Sequence, residues 1–225
     1  MSTIHDLQLP LTRDQVRALR VGDMVRLSGE ITVSIGLPTH KRMAELVEHG
    51  ESLPIDLRGG AFFHLSTYVR ETVDGPVPLY LNPSTSTRYN PWMPALVRGL
   101  DLRLVGGKGG LDAASVAALQ ESGCAYLSFL GGGAQLLSRG LRGVVSTHWN
   151  EYISQFRLLT LRVESMGPAT VAIDAHGNSI YAQLRENAIQ RMPGILKQLG
   201  HTEGGAATAV EAAKLDLTAI TPPRR

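Results

Sequence analysis

The sequence predicts an α/β fold organised as a single compact domain, and three observations carry that prediction. Apolar strand-like runs alternate with amphipathic helical patterns along most of the chain. At 225 residues and 43% apolar content, the chain is long enough for one sizeable core. Two short segments, Asn82-Pro83-Ser84-Thr85-Ser86-Thr87-Arg88 and Gly106-Gly107-Lys108-Gly109-Gly110, each follow an apolar strand-like run. Ends of strands are where ligands bind in α/β folds.

Taken in order, residues 7–11 read as an extended stretch, and Thr12 as the N-cap of a short helix over 12–19. Gly22-Asp23 turns the chain into residues 24–33, whose alternation around Ser28-Gly29 suits a strand or a hairpin. Residues 38–50 carry helix signals, with Pro38 at the start and Gly50 at the end, and the helix docks by Met43, Leu46 and Val47. Strands are expected over 61–69, 77–81 and 102–105, the latter two leading into the two segments above. An Ala-rich helix over 111–122 leads through Gly123-Cys124 to a strand over 125–130, closed by Gly131-Gly132-Gly133, and a helix follows over 134–139. Residues 158–163 and 170–173 read as two later strands, Asp174-Ala175-His176-Gly177-Asn178 as a turn, and 180–199 as a helix broken at Pro193. The domain is therefore expected over residues 1–200, with 201–225 as a loosely held tail poor in anchoring apolar groups.

Composition narrows function. The net charge of +2 is spread without a block of one sign and aromatics are only 5%, which argues against nucleic acid as partner. No apolar run is long enough to span a bilayer, and the first residues lack a cationic segment followed by an apolar one, so a cytoplasmic location is expected. The single cysteine, Cys124, can form no internal disulfide and cannot alone hold zinc or an iron–sulfur cluster. Any such centre would come from a partner.

The two segments suit a small anion. Consecutive hydroxyl residues ending in an arginine offer several hydrogen bonds and one planar, bidentate charge. Glycines around Lys108 let backbone and ammonium approach a ligand closely. Each segment alone also reads as local turn chemistry or a flexible loop; their shared position after a strand favours a site. His40, near a helix start, reads equally as a substrate-orienting group or a structural hydrogen-bonder. His148 with Glu151 reads as a surface pair, Cys124 as a buried inert thiol, and His176 as a loop-holding residue. Tyr89 and Trp92 line either the pocket or a partner interface.

In this order the landmarks resemble a known family. Gly22-Asp23-Met24-Val25-Arg26-Leu27-Ser28-Gly29 is similar to "GDxVxLSG", His40-Lys41-Arg42 to "HKR", and the segment 82–88 to "GPTTxxR". Gly107-Lys108-Gly109-Gly110 is similar to "GKGG", Gly131-Gly132-Gly133-Ala134 to "GGxA", and residues 174–179 to "DAHGNS". Over roughly residues 20–190 the chain thus resembles the β subunit, or C-terminal domain, of the class I fumarase and L-tartrate dehydratase family of iron–sulfur hydro-lyases.

The resemblance implies a swivelling β/β/α domain that caps a partner α subunit, the latter holding a 4Fe-4S cluster on three cysteines. It implies reversible addition or removal of water on a small hydroxy acid such as fumarate/malate or tartrate. By position it makes Ser84 the candidate base, where the fumarases have a threonine, and Arg88 and Lys108 the carboxylate ligands. Thr85 and His40 join them as substrate-binding positions. Serine is a weak base unaided and needs an activating neighbour, expected from the partner.

Two departures bear on substrate. Where the family has "TxRDxxHKR", Gly36 replaces the arginine and Leu37 the aspartate. The family's "GP" after the next strand is replaced near His64-Leu65-Ser66-Thr67, and Asn82 replaces the first glycine of "GPTT". A hydroxy acid other than that of an ordinary fumarase is therefore expected, with His64 or His40 compensating in part. The alternative is an anion-binding or regulatory module derived from the family and lacking catalysis.

Overall fold

In the computed structural model, which describes residues 4–199, one long strand ties the architecture together. The strands are β1 (Ile4–Gln8), β2 (Met24–Val33), β3 (Ala61–Phe63), β4 (Leu65–Ser66), β5 (Val69–Thr72), β6 (Gly75–Pro78), β7 (Asn82–Pro83), β8 (Leu104–Gly107), β9 (Ala125–Ser128), β10 (Leu141–His148) and β11 (Leu158–Ile173). The helices are α1 (Arg13–Ala18), α2 (Leu37–Glu48), α3 (Met93–Gly99), α4 (Ala113–Ser122), α5 (Ala134–Ser138) and α6 (Ile180–Gln198). Short 3-10 turns cover Ser86–Tyr89 and Ser154–Phe156.

The helix boundaries follow local chemistry. Thr12 and Gln15 form a reciprocal capping box at the start of α1. Pro38 sits in the first turn of α2, and Gly50, at positive φ, follows its end. Asp112 accepts the Ser115 amide ahead of α4, and Gly123 ends that helix in the left-handed conformation. Met43 of α2 is fully buried, while Leu46 and Val47 are half-buried.

The main sheet runs β1-β2-β3-β8-β9-β11-β10, and a further β2–β11 pairing closes β2, β3, β8, β9 and β11 into a ring. Side-chain alternation separates two cores: Phe63, Leu27, Ile31, Leu127 and Leu161 belong to one, while Phe62, Val105 and Tyr126 face Met43, Leu96 and Leu119 of the helices. Strands β3, β8 and β9 are parallel neighbours, so their carboxyl ends, Phe63, Gly107 and Ser128, share one edge of the sheet.

Several expected elements take another form. Residues 24–33 make one continuous strand, passing through Gly29, where any Cβ would lie 2.9 Å from Leu9. The expected strand 61–69 is split at His64 into β3 and β4. The expected strand 77–81 leaves the main sheet: β6 pairs only with β5, as a two-stranded hairpin. The two late strands are one, β11, which absorbs Ser165 and Gly167 as irregularities in its register with β2. Helix α6 runs unbroken through Pro193, and it buries no residue. Helix α3, strand β10 and the β5–β6 hairpin carried no expectation from the sequence. The expected tail, residues 201–225, lies outside the described residues. Among the described residues no helix is long and apolar enough to cross a membrane.

After β11 the chain turns at Asp174, which is 1% exposed and receives the amides of His176 and Asn178 and the Asn178 side chain. Burial raises its carboxyl, but the hydrogen bonds from Asn178 and His176 outweigh that and hold it below its ordinary 3.8. We expect Asp174→Ala to lower stability by roughly 2–3 kcal/mol, because the donors are left buried and unpaired. With the folded-state value lowered, this contribution is present above the ordinary carboxylate range and is lost as pH falls through the lowered value. Urea denaturation of both proteins at neutral and acid pH measures it; equal midpoints at neutral pH would refute it.

Candidate functional site

The two segments singled out in the sequence meet in space. Strand β7 pairs with β4 beside His64, and the Ser84 amide donates to the His64 carbonyl at 2.8 Å. The chain then crosses onto the end of β8: the Lys108 amide donates to Ser84 O at 2.9 Å, and the Ser86 amide to Lys108 O at 2.8 Å. These bonds put Ser84, Thr85 and the turn carrying Arg88 directly alongside the Lys108 loop.

Glycines make the approach possible. A Cβ on Gly107 would lie 2.3 Å from Ser86 Oγ and 2.9 Å from Ser84 O, so only glycine fits between the segments. Gly109, at positive φ, carries the loop past the Thr85 methyl. On the far side the Lys108 side chain runs over Gly131, whose own Cβ would stand 3.9 Å from Nζ. Arg88 is exposed and Lys108 is partly so, and neither has a carboxylate partner among the described residues. Many other arginines are already paired, as in Arg98–Glu121 and Arg103–Asp101. Two available cations beside two hydroxyls can bind a small carboxylate.

Under this rim lies a buried polar floor. Ser86, fully buried, receives the Tyr126 hydroxyl at 2.8 Å and lies 2.8 Å from His64 Nδ1. Tyr181 of α6 packs on Gly110 and donates to Ser128 at 2.9 Å. Tyr89 is in contact with His40 and His64, at ring centroid distances of 4.0 and 4.2 Å. Both imidazoles are fully buried. His40 Nδ1 lies 2.7 Å from Gly36 O, which only accepts, so the proton is on Nδ1 and Nε2 is a lone pair. Burial, opposed by that bond, lowers His40 to about 4; burial, with the nearby His40, also lowers His64 well below the ordinary 6.5. Among the described residues, the positive charge of the site therefore comes from Arg88 and Lys108.

Of the residues expected from sequence, Ser84, Thr85, Arg88 and Lys108 are brought together. His40 is not at their surface; it stands one layer below, behind Tyr89. Glu151 is taken by Arg42 at 2.6 Å, and His176 Nε2 lies 2.9 Å from Arg17 O, both structural roles. Cys124 is buried and burial raises its thiol, as for an inert side chain. Tyr89 belongs to the floor, and Trp92 packs at its edge. Tyr126 escaped the sequence reading, and the contacts that join it to Ser86 and Ser86 to His64 did too, because only the fold brings them together. Among the described residues no three His, Cys, Asp or Glu side chains converge as a metal-ligand set.

The departure at position 36 is built into the packing. A Cβ on Gly36 would lie 2.7 Å from Phe156 Cβ and 2.5 Å from Thr39 Oγ1. Thr39 and Ser34 both hydrogen-bond Phe156 O, which holds the Ser154–Phe156 turn against the start of α2. A cleft of about 860 Å³ lies elsewhere, by Ser28 and Thr32. Its arginines, Arg58, Arg142 and Arg162, already pair with Asp56, Glu164 and Glu30, so it presents little free charge.

Comparison with known proteins gives a family for the chain. The family model described as fumarase C-terminus matches residues 2–184. The chain is 28% identical over 193 residues to the L(+)-tartrate dehydratase subunit beta of Escherichia coli K12, covering 86% of this chain and 94% of that one. It is 28% identical over 183 residues to a protein of Methanocaldococcus jannaschii provisionally named L(+)-tartrate dehydratase subunit beta, covering 81% and 93%. It is 30% identical over 187 residues to a Geobacillus stearothermophilus protein provisionally named fumarate hydratase class I, covering 83% of this chain but 35% of that longer relative.

The neutral histidines make stability depend on pH. Because the folded value of His40 lies near 4 and the unfolded one near 6.5, only the unfolded state takes up this proton between them. Stability is then full above pH 6.5 and falls as pH drops, by roughly 2 kcal/mol at pH 5 from His40. Denaturant midpoints between pH 7.5 and 5 test this. A flat profile would contradict the buried neutral pair, and His40→Gln is expected to lessen the slope.

Proposed function

The chain belongs to the fumarase C-terminus family, a hydro-lyase family, and from that premise we propose that it is the β-type subunit of an iron–sulfur hydro-lyase. In this reading it is a swivelling β/β/α domain that closes over a cluster-bearing α subunit, and the pair adds or removes water on a small hydroxy acid. The observation that carries the proposal is the backbone pairing of the Ser84–Ser86 segment with Lys108, which gathers at one sheet edge two hydroxyls and two cations that have no ion pair among the described residues. The name "subunit beta" borne by relatives that this chain matches along most of their length supports a separate partner.

The donor set suits a substrate carboxylate and not iron: guanidinium, ammonium, hydroxyls and backbone amides are anion ligands. A 4Fe-4S cluster with an open iron, held by the partner, supplies Lewis-acid polarisation of the substrate hydroxyl when bound. This chain's residues do the rest. Arg88 and Lys108 bind carboxylate oxygens, the guanidinium bidentately and the ammonium as a compact charge. Thr85 adds a hydroxyl donor beside them. Ser84, by the resemblance, is the candidate to take a proton from the carbon next to the departing hydroxyl, once a neighbour has activated it by accepting the serine proton. His40, neutral and buried, acts from beneath by supporting Tyr89 and the start of α2.

A second reading, an anion-binding module without turnover, is favoured by one observation: position 36 has no room for the arginine that the resemblance expects there. Anaerobic co-expression with a cluster-binding partner, iron reconstitution and absorbance at the enoate band with malate, tartrate, fumarate and mesaconate separates the two. Turnover requiring both chains supports the hydro-lyase; a stable, reconstituted but inert complex supports the module.

In the active complex we expect Arg88→Ala and Lys108→Ala each to lower kcat/KM by roughly 10²-fold or more. Both lie on exposed or half-exposed loops without ion pairs, so thermal midpoints should stay near wild type. Ser84→Ala is expected to lower kcat more than it raises KM. Wild-type turnover in either cation variant would sink the assignment.

A further inference from the structure

One residue of α6 touches both of the segments between which Lys108 lies, and that residue is Tyr181. Its ring covers Gly110: a Cβ there would lie 2.5, 2.8 and 2.8 Å from three ring atoms, so only glycine lets the ring sit on the backbone. The Tyr181 hydroxyl donates to Ser128 Oγ at 2.9 Å. Ser128 is the last residue of β9, paired with Gly107 of β8, and the chain runs on from it to Gly131. The Lys108 side chain passes over Gly131, where a Cβ would stand 3.4 Å from Lys108 Cδ. Ring and hydroxyl thus hold the loop that roots the lysine and the strand end that leads to the backbone its stem runs along.

Lysine carries its charge on a flexible four-carbon stem, so the position of the ammonium depends on how root and path are held. The root is fixed by the backbone of Lys108 itself, whose amide donates to Ser84 O at 2.9 Å and whose carbonyl accepts the Ser86 amide at 2.8 Å. Beyond it follow Gly109 and Gly110, at φ +79° and +77°, adjacent glycines with no side chains to restrict them. Gly109 is exposed, whereas Gly110 is buried against Tyr181. Tyr181 is braced in turn by Tyr126, edge-on at 6.3 Å and 74°, whose hydroxyl is engaged with Ser86. Helix α6 buries none of its residues, so removing this one ring leaves the fully buried core in place.

We infer that Tyr181 is a positioning residue for Lys108, holding the Gly109–Gly110 loop and the end of β9 so that the ammonium meets a substrate carboxylate. The inference rests on the reading of Lys108 as a carboxylate ligand, and the experiment separates the two. In the two-chain complex, kcat/KM is measured for Lys108→Ala, Tyr181→Ala, Tyr181→Phe and the variant carrying both alanines. Tyr181→Ala is expected to lower kcat/KM about tenfold, and Tyr181→Phe, which keeps the ring on Gly110, by no more than about threefold. The double variant is expected within about twofold of Lys108→Ala alone, because Tyr181 acts through the lysine. A double variant showing the product of the two single losses, or wild-type kcat/KM in Tyr181→Ala, overturns the inference and leaves Lys108 in place; wild-type kcat/KM in Lys108→Ala overturns both. A measurement without turnover reads the same contact: 15N relaxation NMR on the full chain, wild type against Tyr181→Ala. Order parameters are expected to fall at Gly109 and Gly110 and to hold at Gly123, which packs on Arg13 and Arg17 instead. Unchanged order at Gly110 overturns the inference.

Discussion

The two hydrogen bonds between the Ser84–Ser86 backbone and Lys108 are the constraint on which the site depends. They are made by a segment that arrives from outside the main sheet, after the β5–β6 hairpin, and that holds its place through only two residues of β7. Such a short pairing is weak alone, since an isolated two-stranded unit is marginal in water. Its anchor is Ser86, drawn inward by Tyr126 and His64 and fully buried. Gly107 is the complement of that anchor, because any side chain there would occupy the position of the Ser86 hydroxyl. Arg88 is carried on the same turn as Ser86, so its placement follows from the same burial.

Rim and floor divide the electrostatics between them. The floor holds two imidazoles, two phenols and a serine hydroxyl, all uncharged, in a volume without exposed surface. The rim holds two cations with access to water. A floor of charged histidines would cost desolvation energy that no nearby carboxylate offsets. Keeping them neutral leaves charge recognition to flexible side chains that can close on a ligand, and leaves the floor to set direction.

Much of this was legible in the sequence wherever the determinant is local. The Thr12 capping box, Pro38, Asp112 and Gly123 mark helix ends by chemistry within a few residues, and the helices follow. The anion segments were legible because hydroxyls before an arginine and glycines around a lysine are unusual company. What was not legible depends on distant partners. Residues 158–163 and 170–173 read as two strands, yet β2 pairs with β11 on both sides of the gap and within it, where Met166 faces Leu27 from 139 residues away in sequence (166 − 27 = 139). His40 reads equally as a substrate-orienting group or a structural hydrogen-bonder, and only the fold shows it enclosed by Tyr89 and Phe62. Ser86 reads as one more hydroxyl in a row, and only the strand order brings Tyr126 to it.

The closed position at Gly36 connects these levels. The loss of a cation could be a single substitution, reversible by another, if the space were open. It is not open: Phe156 fills it, held by Ser34 and Thr39, and the Ser154–Phe156 turn is itself delivered by β11. Restoring an arginine would require moving that turn, and with it the end of the strand that closes the sheet. The altered charge pattern of the pocket is therefore a property of the fold of this chain. In the proposed reading, the charge contacts of this chain rest on Arg88 and Lys108, because the packed position 36 has no room for a further cation.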